Sequence, residues 1–189
     1  MDATTTNELI QLAWEVLPTS HRRLLSQVGA SQWEIVTERL GDAAAARLTS
    51  ANETVPSRAE TKASDQALGM WVPSLRLVLI NEAHSALLHA DTATREALLT
   101  WVAWHEWGHA LSVTSGPPHD PSEGEKLLAL APAGIRERIR RGHYRRREYI
   151  HELIAETYAL LMRERVEGRP GRPTWLSNEI YQLMRRVGA

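Results

Sequence analysis

Residues 102–112 read VAWHEWGHALS, and three of them can do chemistry: His105, Glu106 and His109. Two histidines four apart on a helix share one face, so both imidazoles can reach a single metal ion. A glutamate between them projects beside that ion, placed to act as a base on a metal-bound water. The pattern is His-Glu-x-x-His, and the metal it predicts is zinc. Shuffling a 189-residue chain with 8 histidines would produce it roughly 0.03 times. The competing reading is a pair of core histidines bonded to backbone or neighbouring carboxylates.

The element that must carry these groups is a long helix, capped by Asp91 or Thr92 and running to about Val113 before Gly116-Pro117-Pro118. Its apolar residues, among them Leu99, Trp101, Val102, Trp104, Trp107 and Leu111, cover every face, the mark of a buried helix. Burying an unpaired imidazole or carboxylate costs several kcal/mol, so each polar group needs a strong partner.

A catalytic zinc site takes three protein ligands and a water, which leaves one ligand to find. Where a metzincin would place its third histidine stands Ser115. His119 and Asp120 follow in a Pro-rich turn, and a second helix, expected over 144–166, offers Glu148, Glu152 and Glu156 at four-residue steps. Glutamates spaced in this way beside arginines usually form a solvated face. Glu148 fits that description, whereas Ala155 and Ala159 beside Glu152 and Glu156 would let this helix approach the histidine helix closely. His151 points about 100° away from Glu152 on the helix and is not expected to be a ligand.

HEWGHAL followed by ELIAETYALL resembles the gluzincin metallopeptidases, in which a glutamate on a second helix completes the zinc site. The stretch E-x-x-A-E-x-aromatic-A is similar to the ligand helix of anthrax-lethal-factor-like gluzincins, and the ImmA/IrrE-type bacterial peptidases are a second likeness. The similarity spans 17–162. It implies zinc ligands His105, His109 and Glu152, a general base Glu106, and Glu156 as the acidic residue that orients a ligating histidine. The tyrosine that stabilises the oxyanion in that family has its slot at Arg145 here, with Tyr144 adjacent, so Tyr144, His143 and Arg145 are the candidates, Tyr144 first. The fold implied is α+β and zincin-like, mostly helical with a small sheet, with the active-site helix packed on the ligand-bearing helix.

The remaining elements fit one such domain over 1–189: a helical part over about 1–30, a sheet and motif core over about 31–167, and a last helix over 174–187. Helices are expected over 5–17, over about 20–28 with Ser20 as cap, over 43–48, over 125–130 and over 132–141. WEIVTE (33–38) reads as a strand. GMWVPSLRLVLIN (69–81) reads as two short strands split at Pro73-Ser74. Its LRLVLIN half is expected at the sheet edge beside the cleft, where an extended substrate would add a strand. Residues 41–65 otherwise read as loop. Trp101, Trp104 and Trp107 read most simply as core packing around the motif helix, with a cleft wall as the alternative for Trp107, and His84 and His89 are expected to be surface or capping residues.

Composition limits the alternatives. Hydrophobic residues make up 43% and charged residues 24%, as in ordinary soluble globular proteins. With no cysteine, thiolate metal sites and cysteine nucleophiles are excluded, and any metal must use histidine and carboxylate. The N-terminal stretch MDATTTNELI lacks the features of a secretory signal, and no apolar run is long enough for a membrane span, so a cytoplasmic protein without membrane partners is expected. The activity expected is that of a zinc metalloendopeptidase on an extended protein or peptide substrate. Two other classes compete. IRERIRRGHYRRR (135–147), with its seven arginines, would suit a DNA-binding protein or a DNA-associated protease, although the net charge of −1 supplies no global pull toward nucleic acid. The other is an inactive zincin-like binding module.

Overall fold

The computed structural model describes residues 4–55, 67–113, 121–142, 144–169 and 171–188. The fold is α+β, mostly helical (65%) with one three-stranded sheet. It divides into two compact units, Met1–Trp107 and Gly108–Ala189.

The first unit opens with helix α1 (Thr6–Glu15), whose Thr5 and Glu8 form a capping box. Helix α2 (Thr19–Gln27) follows directly. Its N-cap is Pro18 rather than the expected Ser20, because the proline ring fixes the φ of −54° from which the helix departs. Strand β1 (Trp33–Val36) leads into helix α3 (Leu40–Ser50). That helix is longer than the weak pattern at 43–48 predicts, because Leu40, Ala43, Ala44 and Leu48 pack on Val36, Val72 and Leu79 of the sheet. Strand β2 (Gly69–Val72), a 3-10 turn (Pro73–Leu75) and strand β3 (Leu77–Asn81) reproduce the split expected at Pro73-Ser74.

The strand order is β1-β3-β2, with β1 parallel and β2 antiparallel to β3. LRLVLIN is therefore the central strand and not the edge, which corrects the expectation. Val78, Leu79 and Ile80 are fully buried, as suits a strand with neighbours on both sides. After a short helix α4 (Ser85–Leu88), Asp91 caps helix α5 (Thr92–Ser112) by accepting the Thr94 N–H at 2.9 Å. The Trp104 indole N–H donates to the Ala13 carbonyl at 3.1 Å, tying α5 to the end of α1.

The second unit begins with the last turn of α5. It continues through α6 (Pro121–Leu130), α7 (Ala133–Arg141), α8 (Tyr149–Val166) and α9 (Asn178–Arg186). Helix α8 starts later than the expected residue 144. Glu148 Oε2 accepts the Arg145 N–H at 2.8 Å and holds residues 146–148 in a 3-10 turn first. Helix α9 likewise starts after Ser177, whose hydroxyl accepts the Ile180 N–H. The core of this unit includes Ile135, Ile139, Leu153, Ile154, Ile180 and Leu183, all essentially inaccessible to solvent.

Candidate metal centre

Helix α5 sorts its polar groups by depth. Glu106 is buried, whereas His105 and His109 are half-buried on the face they share. Within the second unit, Gly108 brings the end of α5 onto α8, since a Cβ there would stand 2.6 Å from the Ala155 Cα. Ala155 supplies the close approach expected from its small size, and Gly108 is the complementary half that the sequence reading passed over. An unforced glycine inside a helix costs about 1 kcal/mol against alanine, and that cost was the available signal.

This approach brings Glu152 to His109. His109 Nε2 lies 3.5 Å from Glu152 Oε1. One ligand atom from each of His105, His109 and Glu152 lies within 4.8 Å of the others. Donors about 2.1 Å from a tetrahedral zinc are about 3.4 Å apart, so the His109–Glu152 separation is that of two ligands on one ion. Two imidazoles and a carboxylate are also a donor set that catalytic zinc takes, with a fourth position left for water. Among the described residues this is the one cluster of its kind.

Glu106 has a different neighbourhood. Its Oε2 accepts the Trp71 N–H at 2.8 Å, from the side of β2 turned away from β3. Gly69 makes room for this contact, because a Cβ there would stand 2.8 Å from the Glu106 Cγ. Burial pushes the Glu106 carboxyl up to about 8, with the Trp71 N–H acting in the opposite direction.

Glu156, one turn beyond Glu152, is buried and held by Arg138. The guanidinium reaches it through Nε and Nη2, each at 2.7 Å. The arginine comes from a segment that read as solvated. Tyr144 is 37% exposed and lies in the loop before the 3-10 turn, its ring against Gly142. Arg145 caps that turn. Glu148 is half-buried, with its side chain still 40% exposed, and its Oε1 lies 3.9 Å from Arg147 Nε. His84 caps α4 by accepting the Ala86 N–H, also as expected. Trp107 is fully buried, with its ring edge-on to Trp14 and Trp33, so it is core and not a cleft wall. Ser115, His119, Asp120, His143 and residues 56–65 of the expected loop lie outside the described residues.

Comparison with protein-family models, with curated proteins and with solved structures finds no match to this chain. Among the described residues no helix is long and apolar enough to cross a membrane.

Proposed function

We propose that this chain is a zinc-dependent metalloendopeptidase of the gluzincin type, with a zincin-like fold and an extended protein or peptide segment as substrate. The observation that carries the reading is the convergence of His105, His109 and Glu152 from two separate helices to ligand spacing. His105, His109 and Glu152 would hold the ion. When bound, zinc supplies a water acidified toward neutral pH and a Lewis acid for the scissile carbonyl. Glu106 takes a proton from water and delivers it to the leaving amine, a role supported by its place next to His105 on α5 and by the Trp71 N–H that holds its carboxylate. Tyr144 is the donor assigned to the developing oxyanion, and its exposed position leaves it accessible to a substrate. The strand that an extended substrate would pair with is the edge strand β2, whose outer side carries the Glu106 contact.

The nucleic-acid reading is the weaker one. Of the seven arginines in 135–147, at least five have protein partners among the described residues. Arg136 donates to the Ala129 and Ala131 carbonyls, Arg138 to Glu156, and Arg141 to Glu137. Arg146 pairs with Glu125 and Arg147 with Glu148.

The test is metal content by elemental analysis of the purified protein. About one zinc per chain is expected from a single three-ligand site, lost in Glu152→Ala and largely kept in Glu156→Ala. A wild type that holds no zinc even after incubation with it overturns the reading in favour of an inactive binding module.

A further inference from the structure

We infer that Ser112 and His151 are positioning residues for the metal centre, joined in a hydrogen-bond chain that sets the last turn of α5 against the ligand-bearing turn of α8. The inference rests on the zinc site proposed above.

Ser112 is buried and sits one turn beyond His109 on α5, while His151 directly precedes Glu152 on α8. The Ser112 hydroxyl donates to the His109 carbonyl at 2.6 Å, and His151 Nδ1 lies 3.0 Å from the same hydroxyl oxygen. A carbonyl has no proton to give, so the single hydroxyl proton of Ser112 is committed to it. The serine oxygen can then only accept at His151, which must carry a proton on Nδ1. The chain therefore has one direction, from His151 Nδ1–H to the Ser112 hydroxyl and on to the His109 carbonyl.

Its location gives it a task. His109 lies in the last turn of α5, so the setting of that turn sets the position of the ligand. A ligand in such a turn is held only as well as the helix end is held. Packing of Gly108 on Ala155 brings the two helices close but does not by itself fix their rotation. The directional bonds through Ser112 add that constraint, with one end at the backbone of the ligand His109 and the other at the residue beside the ligand Glu152. Groups that orient metal ligands in this indirect way typically contribute 10–100-fold in metal affinity.

The test is zinc affinity of the full chain, measured by competition with a chromophoric chelator. The variants are Ser112→Ala, His151→Leu, His151→Asn and the Ser112→Ala/His151→Leu double. Ser112→Ala and His151→Leu are expected to bind zinc about 10–100-fold more weakly. His151→Asn should bind within about threefold of wild type, because its amide N–H donates from nearly the same place as Nδ1. The double variant should be no weaker than the worse single one, as expected of residues acting in one chain. Should Ser112→Ala fail to fold, the contrast between His151→Leu and His151→Asn decides alone. Equal affinity across wild type and variants overturns the positioning role and leaves the zinc site intact. A wild type that binds no zinc overturns both, and is seen before any variant is made.

Discussion

Gly108 and Ala155 lie so close that a Cβ on the glycine would stand 2.6 Å from the alanine Cα, closer than real Cβ atoms come. The obstacle is backbone and cannot rotate away. Two effects of Gly108→Ala then oppose each other. Helix propensity favours alanine by about 1 kcal/mol. Overpacking a closed contact costs about 1–3 kcal/mol, and a backbone obstacle places this case at the upper end. The expected result is a lower urea midpoint for the metal-free protein and weaker zinc binding, as the His109 turn is pushed away from α8. A variant as stable as the wild type would refute the close-approach argument.

Gly69 tests the proposed base in a different way. A Cβ there meets Val102 Cγ1 at 2.5 Å and Glu106 Cγ at 2.8 Å, and neither contact involves a ligand side chain. Gly69→Ala should therefore retain zinc while displacing Glu106 from the Trp71 N–H, and cleavage of a proteome-derived peptide library should fall. Glu106→Gln should also retain zinc and lose cleavage by about 10²–10⁴-fold, the usual contribution of a positioned base. Mass spectrometry of the library reads both variants. Full turnover in Glu106→Gln would sink the mechanism.

The parts of the fold and site that were legible in the sequence are the local ones. His105, Glu106 and His109 sit within one turn and a half of a single helix, so spacing alone places them. Asp91 and Pro73 act on their immediate neighbours and could be read for the same reason. The position of LRLVLIN was misjudged because strand order is decided by pairing with residues far away in sequence. Nothing within 77–81 says whether one neighbour or two will flank it. Arg138 was misjudged because a charged helix face looks the same whether its arginines meet water or a buried glutamate on another helix. Ser112 offered no signal, being an ordinary small residue near a helix end.

Arg138 and Glu156 make a further prediction about stability. Arg138→Met removes two charge-assisted contacts to a carboxylate that is only 10% exposed. The expected cost is about 1–3 kcal/mol of unfolding free energy. In a double-mutant cycle with Glu156→Gln, the paired loss should be smaller than the sum of the single losses. Additive losses would mean that the two residues do not depend on one another. Arg138→Met should also leave retention on duplex DNA unchanged, because this arginine is already spoken for.

The same helix that ends at His109 begins at a titrating cap. The backbone N–H and side-chain hydroxyl of Thr94 hold the Asp91 carboxyl below its ordinary 3.8. A carboxyl whose folded-state pKa is depressed stabilises the fold above its unfolded-state value and loses that contribution as pH falls through the folded one. Asp91→Ala should therefore lower the denaturation midpoint at neutral pH, and the gap to wild type should narrow as pH drops below about 4. Denaturation curves at a series of pH values between neutral and strongly acidic would show this. A gap of constant size would mean that the cap acts through hydrogen bonding that survives protonation, with no contribution from charge at the positive end of the helix dipole.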